Sequence, residues 1–302
     1  MSQHVCEKIS KLIMEKLEAG VAPWRKPWTA AGFPQNLTTK KEYRGINLFL
    51  LHLSAFDSPY WLTFKQAKGL GGRVKKGEKS MPVVFWTTKT VDDTAAENGE
   101  KKKKEIPILK FYSVFNAEQC TGLKDVPPPV ERQIDFQPIE KCEEIVRVMP
   151  NPPSILHEPG DNRAYYLPKE DRINMPRSES FLSPEAFYAT LFHEICHSSG
   201  HKSRLNRKEI IEHNPFGSQD YGKEELVAEM GSSFLCGIAG IENVTLDNSA
   251  AYIENWLKAI REDKKLVICA AAKAQAAVDY IIRKSPERKD HEHENAQSEG
   301  VL

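Results

Sequence analysis

The residues best suited to chemistry are His193, Glu194 and His197, which form an HExxH pattern. Residues four apart lie on one face of an α-helix, so both imidazoles can bind one Zn²⁺ while Glu194 acts on a water beside it. The pattern predicts that the two His are metal ligands and that Glu194 is a catalytic general base. Ordinary core or solvated histidines are the alternative interpretation, but a Glu between them then has no packing role.

The surrounding residues predict the helix that positions this motif. Ser183 is a favourable N-cap and Pro184 a favourable first helical residue. Apolar residues continue at helical spacing through the motif, and Gly200 follows where a helix stop is expected. We therefore expect the two His near the end of a buried helix.

A catalytic zinc site needs a third protein ligand and one open position. The spacing HExxHxxGxxH fails here, because Ser203 occupies the place of its third His. Glu225 and Glu229 lie four apart on a second predicted helix. One of them can complete the ligand set, and the other can accept a hydrogen bond from a ligating His. A solvated acidic helix face is the alternative for this pair.

The two segments together resemble the gluzincin metallopeptidases. The resemblance implies that Glu225 is the metal ligand and Glu229 the orienting residue. Gluzincins carry a shorter acid or amide at the position of Glu229, so the exchanged roles stay open. The expected activity is hydrolysis of a peptide bond with Zn²⁺, or with another divalent metal such as Mn²⁺.

Two further features of a peptidase site have candidates in the sequence. Residues 165–175 are expected to form an edge strand before the helix, to which an extended substrate peptide could add. The oxyanion of the reaction needs a hydrogen-bond donor. The unranked candidates for that donor are His201, Tyr221 and Arg204.

The composition indicates a soluble, cytoplasmic protein. The chain has 302 residues, of which 40% are hydrophobic and 28% charged. It contains no apolar run long enough to span a membrane and no basic-then-apolar leader, so we expect no membrane partner. Its six cysteines include no CxxC pair, which favours reduced thiols in the core over a disulfide framework.

The net charge of zero conceals a difference between the two halves. Residues 1–125 hold 21 Lys and Arg against 13 Asp and Glu, and the remainder has an equal acidic excess. A basic half suggests a polyanionic partner. We expect one domain over 1–125, a Pro-rich linker region over 126–153, a metallopeptidase domain over 154–284 and a polar, disordered tail over 285–302.

Aromatic and basic residues interleave within the basic half. Proteins that bind single-stranded nucleic acid use this mixture, with rings that stack on bases and cations along the backbone. Its basic residues include Arg73, Lys75 and Lys76. Core packing is the alternative for any single ring. The expected elements here are two apolar helices and two strands joined by a charged loop, over 5–17, 46–56, 82–88 and 106–115.

Five runs of the sequence resemble the ArdC antirestriction proteins of conjugative plasmids. They are YRGIN at 43–47, YWLTFKQA at 60–67, GGRVKKGEK at 71–79, HEICHSSGHKSRLNR at 193–207 and EELVAE at 224–229. The resemblance implies an α+β fold of two domains, an N-terminal α+β domain that binds single-stranded DNA and a C-terminal gluzincin-like (zincin) metallopeptidase domain. It assigns DNA contact to residues of the first two runs, which are Tyr43, Arg44, Asn47, Trp61, Thr63, Lys65 and Gln66.

The same resemblance implies a function, the protection of incoming plasmid DNA from host restriction. The expected partners are single-stranded DNA and a protein substrate, for which a host restriction factor is a candidate. The alternative is a protein that coats single strands without catalysis and whose metal site stabilises the fold. A third hypothesis, primase-like synthesis, lacks an evident acidic metal cluster in the basic half.

Overall fold

The computed structural model describes most of the chain. The described residues are 3–20, 22, 24, 33–54, 56–93, 102–124, 126–127, 138–161, 163–181, 183–211, 219–241 and 250–284. The tail expected over 285–302 lies outside them, as does the middle of the charged loop, residues 94–101.

The N-terminal half combines short helices with a β-sheet. Its elements in chain order are α1 (Gln3–Glu18), β1 (Gln35–Asn36), α2 (Ile46–His52), β2 (Tyr60–Thr63), α3 (Phe64–Gly69), β3 (Arg73–Val74), β4 (Met81–Asp93), β5 (Lys102–Asn116) and β6 (Cys120–Thr121). The opening helix is confirmed, and Gly20 follows its end with φ +75°. Such a backbone favours glycine, because other residues pay a steric cost there.

A long antiparallel hairpin dominates the sheet of this half. The strand order is β1-β2-β5-β4, so β4 is an outer strand. The β4–β5 register runs from Met81 opposite Val114 to Asp93 opposite Lys102. The two predicted strands are therefore confirmed, but both extend further into the charged loop than alternation alone indicated. The predicted helix over 46–56 ends earlier, at His52.

The C-terminal half is mainly helical. Its elements are α4 (Pro138–Val148), β7 (Ser154–Leu156), β8 (Tyr165–Leu167), β9 (Arg172–Asn174), α5 (Pro184–Ser198), α6 (Lys208–Ile211), α7 (Gln219–Ala239), α8 (Ala250–Glu262) and α9 (Leu266–Ile281). The helix α7 packs against both α5 and α9, and so it lies at the centre of this half. The small sheet has the order β7-β9-β8.

The two halves share one hydrophobic core. The helix α1 packs against α8 and α9, and α2 packs against α9. The ring of Phe49 in α2 stacks on Phe234 in α7 at 4.8 Å between centroids. Trp24 likewise meets Trp256 edge to face at 5.2 Å. Burial of these large side chains removes much apolar surface from water, so the halves are joined by packing as well as by the chain.

The proposed linker region contains a helix that the sequence prediction overlooked. Residues 126–153 were expected to form a Pro-rich linker, yet 138–148 within them form α4. Cys142, Ile145 and Met149 of this segment are buried in the shared core. Their spacing places them on one face of a helix, and burial of that face explains why the segment is ordered.

Two other expectations have clear outcomes. The segment over 165–175 forms two antiparallel strands, β8 and β9, instead of one, and β8 is an outer strand of its sheet. All six cysteines are described and none is in a disulfide, and four of them are buried, as expected of core thiols. Among the described helices, none combines the length and apolar character needed to cross a bilayer.

Candidate metal centre and nucleic-acid interface

The helix α5 carries the HExxH motif as the sequence predicts. The Ser183 hydroxyl accepts a hydrogen bond from the Ala186 N–H at 3.2 Å, and Pro184 is the first helical residue. The cap satisfies a backbone donor that would otherwise lack a partner. The helix ends at Ser198, so His193 and His197 lie in its last two turns.

Three side chains from α5 and α7 converge at one point. The Nε2 atoms of His193 and His197 are 3.0 Å apart. The Glu225 carboxylate lies 3.5 Å from the first of these nitrogens and 3.3 Å from the second. Within the described residues, this is the group of His, Cys, Asp and Glu side chains that lies close enough to share one ion.

The geometry of this donor set fits a divalent cation. A tetrahedral ion with bonds of about 2.0–2.2 Å has ligand atoms roughly 3.3–3.6 Å apart. The separations from Glu225 to His193 and His197 lie in that range, and the 3.0 Å between the two imidazole nitrogens is slightly shorter. Two imidazoles and one carboxylate are also the ligand types that leave a position open for water in catalytic sites.

Glu194 lies beside the donor set and is nearly enclosed. Only 7% of its surface is exposed. Burial raises the pKa of the Glu194 carboxyl, while the nearby His193 and His197 act in the opposite direction. The backbone of Tyr166 in β8 also acts to lower the pKa of the Glu194 carboxyl. A carboxylate whose pKa is raised in this way is a better proton acceptor.

The charges of the donor set balance one another. Burial alone lowers the pKa of His197, but Glu225 and Glu224 hold it well above its usual value. Conversely, burial alone raises the pKa of Glu225, but the two His hold it well below its usual range. Protons and a metal ion therefore compete for the same imidazole nitrogens.

The residue that orients His197 is Glu224, which the sequence prediction did not single out. The Glu224 carboxylate lies 3.4 Å from His197 Nδ1, the nitrogen that points away from the donor set. The sequence had predicted that Glu229, or Glu225 if the roles were exchanged, orients a ligating His. Glu229 lies one turn further along α7 and is buried, and its role stays a prediction.

Arg207 holds Glu224 in place. Its guanidinium donates to both carboxylate oxygens of Glu224, at 2.6 and 3.0 Å, and to the Cys196 carbonyl of α5 at 2.7 Å. Both side chains are almost completely buried. A Cβ atom on Gly200 would lie 2.9 Å from this guanidinium. Gly200 thus leaves room for the close approach of Arg207. The helix α5 ends at Ser198, near the predicted stop, and Gly200 is not among the glycines with a positive φ.

Replacement of Arg207 with leucine is expected to lower the free energy of unfolding by about 3–5 kcal/mol, because the buried Glu224 carboxylate then loses both guanidinium hydrogen bonds and keeps only His197 as a partner. Urea unfolding at neutral pH measures this loss. Arg261→Leu is the matched control, since its partner Glu18 and Arg261 itself are both more than half exposed. The control should lose less than about 1 kcal/mol. Equal losses of unfolding free energy in both variants would contradict a stabilising role of the buried Arg207–Glu224 pair.

The three candidates for the oxyanion hydrogen-bond donor have different surroundings. The Arg204 guanidinium is fully enclosed and bonds to Asp171, to Tyr166 and to the Ser198 carbonyl, so it is committed to the fold. His201 Nδ1 lies 2.8 Å from the Ser203 hydroxyl. The side chain of Tyr221 lies outside the described part of the chain.

Most of the predicted DNA-contact residues are structural. Tyr43, Asn47 and Trp61 are buried. The Asn47 side chain donates to the Val84 carbonyl at 2.8 Å and accepts from the Val84 N–H at 2.7 Å, so it closes part of the free edge of β4. Their burial gives these three side chains structural roles in the fold, and their assignment to DNA contact stays a prediction.

Three further residues of that set also have structural partners. Thr63 and Gln66 form a reciprocal capping box at the start of α3. Arg44 pairs with Asp279 of α9 across the two halves. The exposed members of the predicted set are basic, and they are Lys65, Arg73, Lys75 and Lys76.

The exposed rings of the hairpin were missed by the sequence analysis. Phe85 and Trp86 in β4 and Phe111 and Tyr112 in β5 are each more than a third exposed. The alternating pattern predicted the strands, but large apolar residues in a strand are expected in the core. The sequence does contain a signal, because each strand has two adjacent aromatic residues. Adjacent side chains of a strand point to opposite faces, so one ring of each strand must face away from the core.

Two family profiles match the chain. Residues 3–115 match the N-terminal domain of anti-restriction factor ArdC, and residues 146–273 match a zincin-like metallopeptidase. These matches agree with the fold class predicted from the sequence, an α+β protein with an N-terminal domain and a C-terminal zincin-like domain. The segment matched by the second profile contains the whole donor set.

Related proteins differ in length. DNA primase TraC of Escherichia coli is 38% identical over 294 residues, which are 91% of this chain and 27% of the primase. The chain thus spans about a quarter of that relative. Protein y4eC of Sinorhizobium fredii (strain NBRC 101917 / NGR234) is 32% identical over 288 residues, 92% of this chain and 91% of y4eC.

Two solved structures resemble most of the chain. The metal-free crystal structure of the antirestriction ArdC protein from plasmid R388 aligns with a TM-score of 0.72 and 36% identity. The alignment covers 93% of this chain and 97% of the R388 protein. The Mn(II)-bound crystal structure of the same R388 protein aligns with a TM-score of 0.71.

Proposed function

Because this chain belongs to the ArdC antirestriction family, we propose that it protects incoming plasmid DNA, binds single-stranded DNA and hydrolyses peptide bonds at a metal centre. The observation that carries the peptidase part is the buried set of His193, His197 and Glu225 with Glu194 beside it. That combination of ligands and base belongs to metal-dependent hydrolysis.

His193, His197 and Glu225 would hold the metal, and the metal would supply an acidic water and polarise the substrate carbonyl. Glu194 accepts a proton from the attacking water and donates it to the leaving amine, which is general acid–base catalysis by one group. Glu224, held by Arg207, favours the tautomer of His197 that carries its proton on Nδ1. The lone pair of Nε2 is then free to bind the metal. Zn²⁺ and Mn²⁺ both suit these ligands.

The outer strand β8 supports a peptide as the substrate. This strand packs against α5, and the backbone of its residue Tyr166 lowers the pKa of Glu194, so the strand passes beside the proposed base. An extended peptide that added to the edge of β8 would run past the donor set. Arg204 and Asp171 hold the Tyr166 hydroxyl and so fix this strand against the end of α5.

The proposed binding of single-stranded DNA rests on the basic N-terminal domain. Residues 1–125 have an excess of eight positive charges. Lys65, Arg73, Lys75 and Lys76 are exposed there, and exposed cations attract the phosphate backbone. Exposed rings on the same domain provide surfaces for unpaired bases.

A second candidate function is single-strand coating without catalysis, with the metal site as a support for the fold. The burial of Glu224 and Arg207 favours a structural contribution of this region, because their pair joins α5 to α7. Priming of DNA synthesis, the activity in the name of TraC, has no such support: among the described residues of the N-terminal domain, no three His, Cys, Asp or Glu side chains lie close enough to share one ion.

Conjugal transfer into restricting and non-restricting recipients tests the proposed function. The wild-type gene should raise the ratio of the two transfer frequencies, and a ratio equal to that without the gene would refute antirestriction. Glu194→Gln then separates the two candidates. Loss of protection in this variant supports a peptidase, whereas full protection supports single-strand coating, since the substitution removes only the proton acceptor.

A further inference from the structure

One face of the β4–β5 hairpin carries a pair of exposed rings. Phe85 and Tyr112 are 44% and 47% exposed, and their ring centroids are 5.6 Å apart at an angle of 68°. In the register Phe85 lies opposite Lys110 and Val83 opposite Tyr112. Directly opposed residues of an antiparallel pair share a face, and alternate residues of one strand do too, so both rings and Lys110 lie on one side.

The structure holds this pair firmly. The buried Tyr43 ring packs beside Phe85, with 6.3 Å between the ring centroids. Asn47 fastens the backbone of β4 through both hydrogen bonds to Val84, the residue before Phe85. Val83, two residues before Phe85 on the same face, is completely buried. Tyr43 and Asn47 of the YRGIN run are therefore positioning residues for the exposed rings.

The other face of the hairpin is partly occupied by the protein itself. The Lys8 ammonium of α1 lies 4.8 Å from the centre of the Phe111 ring, and Leu109 is buried on that side. The face with Phe85, Tyr112 and Lys110 thus offers rings beside an exposed cation. We call it the ring face.

We propose that the ring face is the surface on which unpaired bases of single-stranded DNA stack, a proposal that rests on the single-strand binding proposed above. Rigid rings on a strand can stack on bases of any sequence, and Lys110 supplies the charge for a neighbouring phosphate. The positive excess of residues 1–125 is complementary to such a polyanion. Bases of a duplex are already stacked and paired, so the ring face should prefer single strands over duplexes.

Fluorescence anisotropy with a labelled oligo-thymidylate and the full chain, over a series of salt concentrations, tests the ring face. Phe85→Ala and Tyr112→Ala should each weaken binding by about 5- to 100-fold without changing the salt dependence, because each removes one stacking surface. Lys110→Ala should reduce the slope of log affinity against log salt by about 0.7. Phe85→Tyr and Tyr112→Phe keep the rings and should bind like wild type.

Trp86→Ala is the matched control, since Trp86 is 47% exposed but lies on the opposite face of β4. Thermal unfolding of each variant shows whether the hairpin is intact. An equal loss of affinity in the control, or unchanged binding by both alanine variants of the ring face, overturns this inference and leaves the proposed function standing. Failure of the wild-type chain to bind the oligonucleotide overturns the single-strand part of the proposed function itself.

Discussion

Glu225→Ala is expected to weaken binding of Mn²⁺ or Zn²⁺ by more than about 100-fold, because removal of a metal ligand costs more than the 10- to 100-fold typical of an orienting partner. The Glu225 carboxylate lies within 3.5 Å of the Nε2 atoms of both His193 and His197. Among the described residues, it is the carboxylate that is close enough to share one ion with both His. Isothermal titration calorimetry of the metal-free protein with each ion measures the effect.

Two neighbouring carboxylates provide the controls for this titration. Glu224→Gln should weaken binding within the 10- to 100-fold range, since it only impairs the orientation of His197. Glu229→Ala tests the exchanged assignment directly. If Glu229→Ala lowers affinity more than Glu225→Ala does, the ligand has been misassigned between the two residues.

Glu194→Gln is expected to reduce peptide hydrolysis by about 10²- to 10⁴-fold while metal affinity stays within a few-fold of wild type. The amide has nearly the same shape as the carboxylate, but it cannot accept the proton of the attacking water. The measurement is the rate of cleavage of labelled casein by the metal-loaded protein, with and without single-stranded DNA, beside a titration of the metal.

Glu185→Gln is the control for this second prediction. Glu185 lies in the first turn of the same helix α5, nine residues and so about 13 Å before Glu194. Its substitution should leave the cleavage rate unchanged. An unaltered rate in Glu194→Gln would remove Glu194 from the mechanism, and a loss of metal in that variant would show that Glu194 acts through the site's structure.

The sequence was most informative where the relevant geometry is local. The cap at Ser183 and the spacing of His193 and His197 depend on one helix, and helical periodicity places them without knowledge of the fold. The need of a two-His site for a third donor indicated Glu225 or Glu229 on α7, and the resemblance to gluzincins favoured Glu225. The structure brings these residues together.

Interactions between distant segments could not be read in the same way. Arg207 and Glu224 are charged residues next to polar ones, and their burial follows only from the packing of α7 against α5. The requirement for Gly200 arises from the same contact, since the Arg207 guanidinium occupies the space of a side chain. Charged residues are seldom buried unless paired, so the sequence alone favoured exposure.

In the N-terminal domain, the contacts of aromatic and polar residues with distant segments could not be predicted from the sequence either. Tyr43 and Asn47 have the residue types of a binding motif, yet they support Phe85 and Val84, which follow about 40 residues later in the chain. Alternation predicts two faces of a strand but not which face the core covers. The ring face therefore became visible only through the topology of the sheet.

The helix α4 was missed for a compositional reason. Prolines before and after it favoured a linker, and Cys142, Ile145 and Met149 were too few to outweigh that signal. Their burial against the shared core stabilises a helix whose short length would be marginal in isolation.

Anomalous diffraction from crystals of this protein soaked in Mn²⁺ or Zn²⁺ tests the metal centre most directly. The account predicts one dominant peak at the absorption edge of the metal, about 2.0–2.2 Å from His193 Nε2, His197 Nε2 and a carboxylate oxygen of Glu225. No peak at these three side chains, or a dominant peak bound through other residues, would contradict it.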